Sequence, residues 1–257
     1  MTNKNFFNNF LNDEFTKDFN ESMESLLRLR LSAMSFYCKE VKDSVRDENT
    51  KRIVNEIYNN IMQNSFPLLK MAELYSYIKN AFEDNSETKM SALKLDDFLL
   101  DLINRTKSYI SDKCETEYIS GKSCFARTNL KYLNLILLMY IRKSVTDGAK
   151  KIEATFFTEN KSAVIAFSVK EIVPESRFYF EDDLMNRELI LKHFKEIADL
   201  WAGKINAEVI LDGNDMKLKL PLDEGTVLYS RGTELLEDNI YNSYNYILSD
   251  FKNSQNY

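Results

Sequence analysis

Apolar residues recur at helical spacing along two stretches near the start of the chain, residues 15–45 and 54–78, with polar residues 47–50 between them. Apolar positions three or four apart fall on one face of an α-helix, so both stretches are predicted to be amphipathic helices. Pro67 falls inside the second stretch and is expected to kink it. Two helices joined by a short turn form an antiparallel hairpin, and such hairpins often pair into four-helix bundles. Residues 1–84 are therefore predicted to be an N-terminal segment and a dimerising helical hairpin.

A polar linker is predicted at residues 85–93, and the pattern beyond it mixes helical and strand periodicity. Helices are predicted at residues 95–110, 129–145, 185–201 and 235–251, and strands at residues 115–119, 151–157, 163–169, 205–211 and 216–220. Thr128 is the predicted N-cap of the second helix, and Gly203 is predicted to end the third. The order predicts an α+β fold with helices on one face of a mixed sheet. This domain is expected at residues 94–225, followed by a helical tail at residues 226–257.

Composition and charge indicate a globular protein and argue against a nucleic-acid or membrane partner. Hydrophobic residues make up 44% of the 257-residue chain and charged residues 29%, as in an ordinary globular protein. Only 3 Pro and 6 Gly are present, which argues against a loop-rich all-β fold. The net charge of -6 gives no reason to expect a nucleic acid or an anionic membrane as partner.

The chain carries no sequence signal for secretion or for a membrane span. Its first 15 residues lack a basic start followed by an apolar run, and no window holds about 18 consecutive apolar residues. The three cysteines, Cys38, Cys114 and Cys124, have no metal-ligand spacing and cannot all pair. These features predict a reduced, cytoplasmic protein that needs no metal and no cofactor.

Several short stretches, taken in order, resemble the core of sensor histidine kinases. They are residues 94–100 (KLDDFLL), 135–143 (LILLMYIRK), 151–169, 191–205 (LKHFKEIADLWAGKI) and 212–222. The resemblance covers residues 15–222 and implies a phosphotransfer hairpin followed by an ATP-binding α/β sandwich. The chain is also similar to small histidine phosphotransferases built on a degenerate kinase core, although those proteins keep the phosphoacceptor histidine.

The resemblance implies a histidine on the first hairpin helix, within the motif His-Glu-Leu-Arg-x-Pro-Leu. The best match here is residues 25–31, SLLRLRL, which puts Ser25 in the histidine position. A serine hydroxyl is a poor nucleophile without an adjacent base. The single histidine of the chain, His193, lies in a predicted helix of the second domain. It is interpreted as a surface or half-buried histidine, and a phosphoacceptor role is the alternative.

The resemblance also implies an asparagine that holds magnesium on the ATP phosphates. Tyr140 stands in its place, and a tyrosine cannot serve as that ligand. Lys143 falls where the family often has a lysine. It fits equally well as a solvated residue at a helix C-terminus, where a cation is favoured by the helix dipole, and this interpretation is preferred.

Two glycine-rich motifs of the family are replaced by residues with side chains. The adenine motif Asp-x-Gly-x-Gly matches residues 171–175, so that Glu171 stands for the aspartate and Val173 and Glu175 replace the glycines. The phosphate motif Gly-x-Gly-Leu matches residues 188–191, where the Glu188 carboxylate would repel phosphate. The lid between the two motifs is shortened to about residues 176–187.

These losses predict a catalytically inactive, histidine-kinase-like protein with no catalytic residues. No glycine occurs between Gly148 and Gly203, whatever the alignment register. A divergent histidine kinase or phosphotransferase that still binds ATP is the alternative function. A helical interaction protein without the second-domain sheet is the alternative fold.

The predicted partner-binding surface is the hairpin around Ser25, Arg28 and Arg30. In the family this face receives the receiver domain of a response regulator, whose active site is acidic, and the two arginines would complement it. An ordinary solvated helix face explains them equally well. The expected partners are a second copy of the chain and a receiver domain or another histidine kinase. The tail helix either caps its own domain or binds a partner.

Overall fold

The computed structural model describes residues 88–173, 191, 193–223 and 243–248, together with residues 34, 36–37, 39–41, 44–47, 49–57, 76 and 78. The chain divides into two units, Met1–Tyr77 and Ile78–Asn256. Every helix and strand whose bounds are given below lies in the second unit.

Residues 49–57 of the first unit are helical, and residues 45–47 just before them are not. Asp47 caps this helical segment, because its carboxylate accepts hydrogen bonds from the Thr50 backbone N–H (2.8 Å) and the Thr50 hydroxyl (2.7 Å). Thr50, which the sequence places in a turn, is thus already helical. Most of the predicted hairpin lies outside the described residues, so the hairpin stays a prediction.

The second unit alternates helices with short and long strands. In chain order they are β1 (Ser91–Lys94), α1 (Leu95–Ile110), β2 (Glu115–Ile119), β3 (Phe125–Thr128), α2 (Leu130–Thr146), β4 (Ala149–Glu159), β5 (Ser162–Ile172), α3 (Phe194–Lys204), β6 (Glu208–Asp212), β7 (Asp215–Pro221) and α4 (Ser243–Leu248).

Five strands form one mixed sheet in the order β2-β4-β5-β7-β6. β2 runs parallel to β4, and the other three pairs are antiparallel. β1 and β3 form a separate antiparallel pair that contacts the end of β7 through a bridge between Ala126 and Leu222. The predicted mixed sheet is confirmed, whereas β1 and β3 were not expected, and β1 begins inside the predicted linker.

Strand periodicity and register place the core on one face of this sheet. Ile165 of β5 pairs with Phe156 of β4 and Leu218 of β7, and all three side chains are buried. α1, α2 and α3 each contact strands of this sheet or one another. The opposite face carries ion pairs from Lys151 to Glu117 (2.7 Å) and to Glu153 (3.5 Å). One buried apolar face and one charged face are expected of a mostly antiparallel sheet that is covered on one side.

A two-residue turn joins β4 to β5, as residues 159–161 predict. Asn160 and Lys161 both have positive φ, 48° and 64°. Two consecutive residues in this region make the hairpin turn whose twist matches that of the flanking strands.

Asn129 caps α2, not Thr128. The Asn129 side-chain oxygen accepts from the backbone N–H groups of Lys131 (3.0 Å) and Tyr132 (3.3 Å). Thr128 is fully buried at the end of β3 and is one residue too early. Threonine and asparagine are both good N-caps, and only the structure shows that Thr128 belongs to the preceding strand.

Gly203 does not end α3, which runs on to Lys204. The residue in the left-handed conformation is Asn206, with φ 52°, and the Ala207 N–H donates to Ala202 O at 2.9 Å. Asparagine tolerates this conformation better than other residues with a side chain, so it can replace glycine just beyond a helix end.

The described part of the predicted tail helix, α4, packs on its own domain. Ile247 and Leu248 are fully buried, and Tyr244 is 3% exposed. α4 contacts both α1 and α2. Of the two roles considered for the tail, capping the domain is the one that this segment fills.

Candidate functional site

The candidate site lies between the C-terminal half of α2, the end of β5 and the turn between β6 and β7. α2 is buried along almost its whole length, because helices and strands surround it. A helix that is apolar on every side belongs in a core, and this burial fixes the position of its polar residues. Tyr140 is one of them and is only 3% exposed.

The side chain of Tyr140 lies inside the site and contacts residues on three sides of it. Its hydroxyl donates to the backbone oxygen of Asn214 at 2.5 Å and so ties α2 to the β6–β7 turn. Its ring lies 5.5 Å from the ring of Phe167 and 6.2 Å from that of Phe194, both in tilted arrangements that aromatic pairs favour. Burial raises the pKa of the Tyr140 hydroxyl to about 12, so the side chain is a neutral donor at physiological pH.

The cavity that remains beside Tyr140 is small. It holds about 20 Å³ and is lined by Tyr140, Ser144, Asp147, Val169 and Asn214, among others. This volume suits roughly one water molecule. Pockets for nucleotide-sized ligands are on the order of 300–1,000 Å³. The cavity between these described residues is therefore too small to hold a nucleotide.

Charges around the cavity are mainly negative. Lys143 forms an ion pair with Asp147, one turn further along and just past the end of α2. This pairing fits the interpretation of Lys143 as a helix-end cation, and it leaves the lysine engaged with a carboxylate. The charges of Asp215 and Asp147 also act on the Tyr140 hydroxyl and raise its pKa. Two carboxylates and one paired lysine form a poor environment for a triphosphate.

Asp215 was missed by the sequence patterns, although it organises this corner of the site. One carboxylate oxygen accepts from the Val169 backbone N–H (2.9 Å) and the other from the Ser168 hydroxyl (3.1 Å). Asp215 lies in the predicted turn at residues 212–215, where acidic residues are common. Only the fold shows that its partners lie 46 and 47 positions away in sequence.

Glu171 and Val173 are not brought to the cavity. Both side chains are exposed near the end of β5, and Val169 and Ile172 line the cavity instead. The pairing of β4 with β5 shifts register around Lys151, opposite Glu171. A register irregularity of this kind bends a strand and redirects its side chains. Glu175 and Glu188 lie outside the described residues, as do Ser25, Arg28 and Arg30 on the predicted hairpin.

His193 stands next to the aromatic cluster without lining the cavity. Its side chain is 20% exposed at the start of α3, which fits the half-buried interpretation. Its Nδ1 lies 3.8 Å from Glu196 Oε1. That separation is longer than the hydrogen bond through which a carboxylate would act as a base.

Other chemistry is sparse in the part of the chain that the structure describes. No group of three or more His, Cys, Asp or Glu side chains there could hold a metal ion. Cys114 and Cys124 are free thiols, and burial raises the pKa of the Cys114 thiol to about 12, which makes it unreactive. None of the helices in the described ranges combines the length and apolar character that crossing a membrane requires.

Of three comparisons with known proteins, only the comparison of structures finds matches. No family model and no curated protein matches the chain. Its structure is similar to that of full-length ShkA in complex with AMPPNP, with a TM-score of 0.62 and 10% identity over 82% of this chain. The match covers 47% of ShkA, so this chain spans about half of that protein's length.

Two further structures are similar at lower scores. The histidine kinase AdeS from Acinetobacter baumannii has a TM-score of 0.45 and 10% identity, over 76% of this chain and 97% of its own. The ATP-binding domain of PrrB from Mycobacterium tuberculosis has a TM-score of 0.39 and 15% identity, over 53% and 99%. At the level of fold, the chain is histidine-kinase-like.

Proposed function

We propose that this chain is a catalytically inactive, histidine-kinase-like protein that regulates two-component signalling in the cytoplasm by binding a response regulator or another kinase. The observation that carries the proposal is the burial of Tyr140. Its buried ring fills the position that the resemblance assigns to the magnesium-binding asparagine, and its hydroxyl holds the β6–β7 turn against α2.

Nucleotide binding would require this arrangement to be dismantled. The hydrogen bond to Asn214 O would break, and the Tyr140 ring would leave its contacts with Phe167 and Phe194. Exposing a buried aromatic side chain costs about 1.5–3 kcal/mol, and breaking a buried hydrogen bond adds about 1 kcal/mol. The phosphates would then meet the carboxylates of Asp147 and Asp215, which disfavour them further.

The sequence also lacks the histidine nucleophile that the resemblance implies for phosphotransfer. The only histidine, His193, belongs to the second domain, and the aligned position on the hairpin is Ser25. A serine needs an adjacent base to act as a nucleophile, and the predicted hairpin contains no histidine to supply one. What remains of a kinase core is a pair of binding modules.

The proposed arrangement keeps the domain organisation predicted from the sequence. Residues 1–84 supply the hairpin, which dimerises as a four-helix bundle, and residues 94–225 form the degenerate ATPase-like domain after a linker at residues 85–93. Residues 226–257 add the helical tail. A receiver domain, acidic at its active site, would dock on the hairpin face around Ser25, Arg28 and Arg30.

Charge removal on that face tests the partner assignment. Purified chain carrying Arg28→Ala and Arg30→Ala is compared with the matched variant Arg46→Ala and Arg52→Ala, which removes two exposed arginines elsewhere in the first unit. Capture from the native host, with mass spectrometry, is expected to recover a response regulator or histidine kinase with the unmodified chain and the matched variant. Recovery should fall by tenfold or more with Arg28→Ala and Arg30→Ala, since these charges lie at the docked face.

Two outcomes would count against the proposal. Equal recovery with both double variants would remove the hairpin face from the binding site. Transfer of radiolabel from γ-labelled ATP to the chain, lost in His193→Ala or Ser25→Ala, would show a working kinase or phosphotransferase instead.

A further inference from the structure

A second polar surface lies in the ATPase-like domain. Its volume is about 610 Å³, much larger than the cavity beside Tyr140. We name it the basic cleft; it is lined by Thr88, Lys89, Met90, Arg127, Gly203, Lys204 and Asn206. None of these residues lines the cavity at the candidate site.

All three charged residues of the basic cleft are cations. Lys89 precedes β1, Arg127 lies on β3, and Lys204 is the last residue of α3. Lys89 and Arg127 are exposed and Lys204 is half-buried, and no acidic residue is among the described residues that line the cleft. Three cations from three separate elements create a positive potential that attracts an anionic ligand.

The backbone around these cations is held in place. The Asn129 side chain, which caps α2, donates to Lys89 O at 3.0 Å. Arg127 pairs with Ala92 in the β1–β3 ladder, and its side chain is exposed between the fully buried neighbours Ala126 and Thr128. Positions fixed in this way let a ligand be bound without ordering the backbone first, which lowers the cost of association.

The rim at the end of α3 is open to a ligand. Nothing lies within 4 Å of the position that a Cβ on Gly203 would occupy. Asn206 adds an exposed amide just beyond the helix end, and Thr88 adds a hydroxyl. Met90 is the one large apolar side chain of the lining.

The residues that line the basic cleft favour an acidic polypeptide over a small anionic molecule. Pockets for small molecules are mostly apolar and bury most of the ligand surface. The basic cleft is polar and open, so it fits a ligand that keeps much of its surface in water. We propose that the basic cleft docks an acidic polypeptide segment of a partner protein, with several Asp or Glu side chains placed against Lys89, Arg127 and Lys204.

A labelled acidic peptide tests this docking directly. The probe is a fluorescein-labelled octapeptide of alternating Glu and Ser, titrated with the 257-residue chain and followed by fluorescence anisotropy. Saturable binding is expected, and it should weaken as salt is added, because the contacts are exposed charge pairs. Absence of saturable binding at low salt would overturn the proposal.

The matched pair of variants is Arg127→Glu and Lys217→Glu. Both side chains are exposed on strands, and both substitutions change the net charge by the same amount. Arg127→Glu should weaken peptide binding at least about tenfold and Lys217→Glu less than about twofold, whereas Arg127→Lys should keep most of the affinity. Equal losses in the two Glu variants, with unchanged urea unfolding midpoints, would mean that net charge alone attracts the peptide.

Inorganic triphosphate serves as the competitor. If it displaced the peptide at lower concentration than the unlabelled peptide does, the cleft would be a small-anion site and the proposal would be wrong. The inference does not rest on the loss of nucleotide binding. Failure of peptide docking would leave the proposed function intact, and nucleotide binding near Tyr140 would leave the docking intact.

Discussion

Tyr140 is the residue on which the proposed loss of nucleotide binding depends. Alignment with the kinase motifs assigns Tyr140 to the asparagine position, and its chemistry alone predicts that magnesium is not bound there. The hydrogen bond of the Tyr140 hydroxyl could not be predicted in this way, because it joins residues 74 positions apart in sequence. No local pattern indicates that the Tyr140 hydroxyl meets the Asn214 backbone oxygen, or that Phe167 and Phe194 flank the ring.

The raised pKa of Tyr140 predicts how stability depends on pH. Burial raises the pKa to about 12 from an ordinary value of 10.0, so the unfolded chain loses this proton first. The stability linked to this hydroxyl is therefore fully present below about pH 10 and is lost as pH rises toward 12. Tyr140→Phe should lack this loss, which amounts to about 2–3 kcal/mol. Urea unfolding at a series of pH values from 8 to about 12 measures it.

Asn214→Ala is the matched control for this experiment. The acceptor of the Tyr140 hydrogen bond is the backbone oxygen of Asn214, so removing the Asn214 side chain should leave the alkaline loss unchanged. Tyr118 and Cys114 also have raised pKa values of about 12, and they contribute equally to all three proteins. Parallel pH profiles for the unmodified chain and Tyr140→Phe would contradict the burial of a neutral hydroxyl.

At the scale of elements, sequence patterns succeed where they are long and regular. α1 occupies residues 95–110 and β2 residues 115–119, as predicted, because periodicity and polar flanks mark both ends. β1 and β3 were missed, since each has only four residues and too few positions to show alternation. The displaced ends of α2 and α3 have the same origin, because asparagine takes the roles assigned to a threonine and a glycine.

Element packing also predicts opposite effects for two glycines. A Cβ on Gly121, in the connection from β2 to β3, would overlap the backbone oxygen of Phe156 in β4. Backbone cannot yield as a flexible side chain does, so Gly121→Ala should lower the free energy of unfolding by about 1–3 kcal/mol. Gly203→Ala, in α3 with open space around it, should be neutral or stabilise by up to about 1 kcal/mol.

Chemical denaturation of the two glycine variants beside the unmodified chain measures both effects. Because the substitution is the same, general consequences of adding a methyl group cancel between them. A neutral Gly121→Ala would mean that the β2–β3 connection does not pass against β4 as described.

At the scale of the whole molecule, the order of elements predicted the class of fold, and the histidine-kinase-like architecture of the second unit agrees with it. Strand register was not predictable. The irregularity opposite Glu171 decides that Val169 and Ile172 reach the cavity, whereas alignment had placed Glu171 and Val173 there. The basic cleft could not be predicted from the sequence either, because its three cations come from distant parts of the chain.

The tail helix completes the domain through a polar contact as well as apolar ones. Arg142 of α2 is 7% exposed, and its guanidinium donates to the backbone oxygen of Ile247 in α4. A buried guanidinium needs hydrogen-bond acceptors, because removing a charge from water is otherwise costly. The tail thus supplies an acceptor inside the domain, a role that helical periodicity alone does not reveal.

Calorimetric titration of the 257-residue chain with Mg²⁺ and ATP measures whether the protein binds nucleotide. We expect no saturable heat up to millimolar nucleotide, because the buried Tyr140 ring leaves a cavity of only about 20 Å³ and Lys143 is paired with Asp147. An unfolding transition measured on the same sample confirms that the protein is folded. Saturable binding with a micromolar Kd would contradict the claim and favour the divergent kinase or phosphotransferase instead.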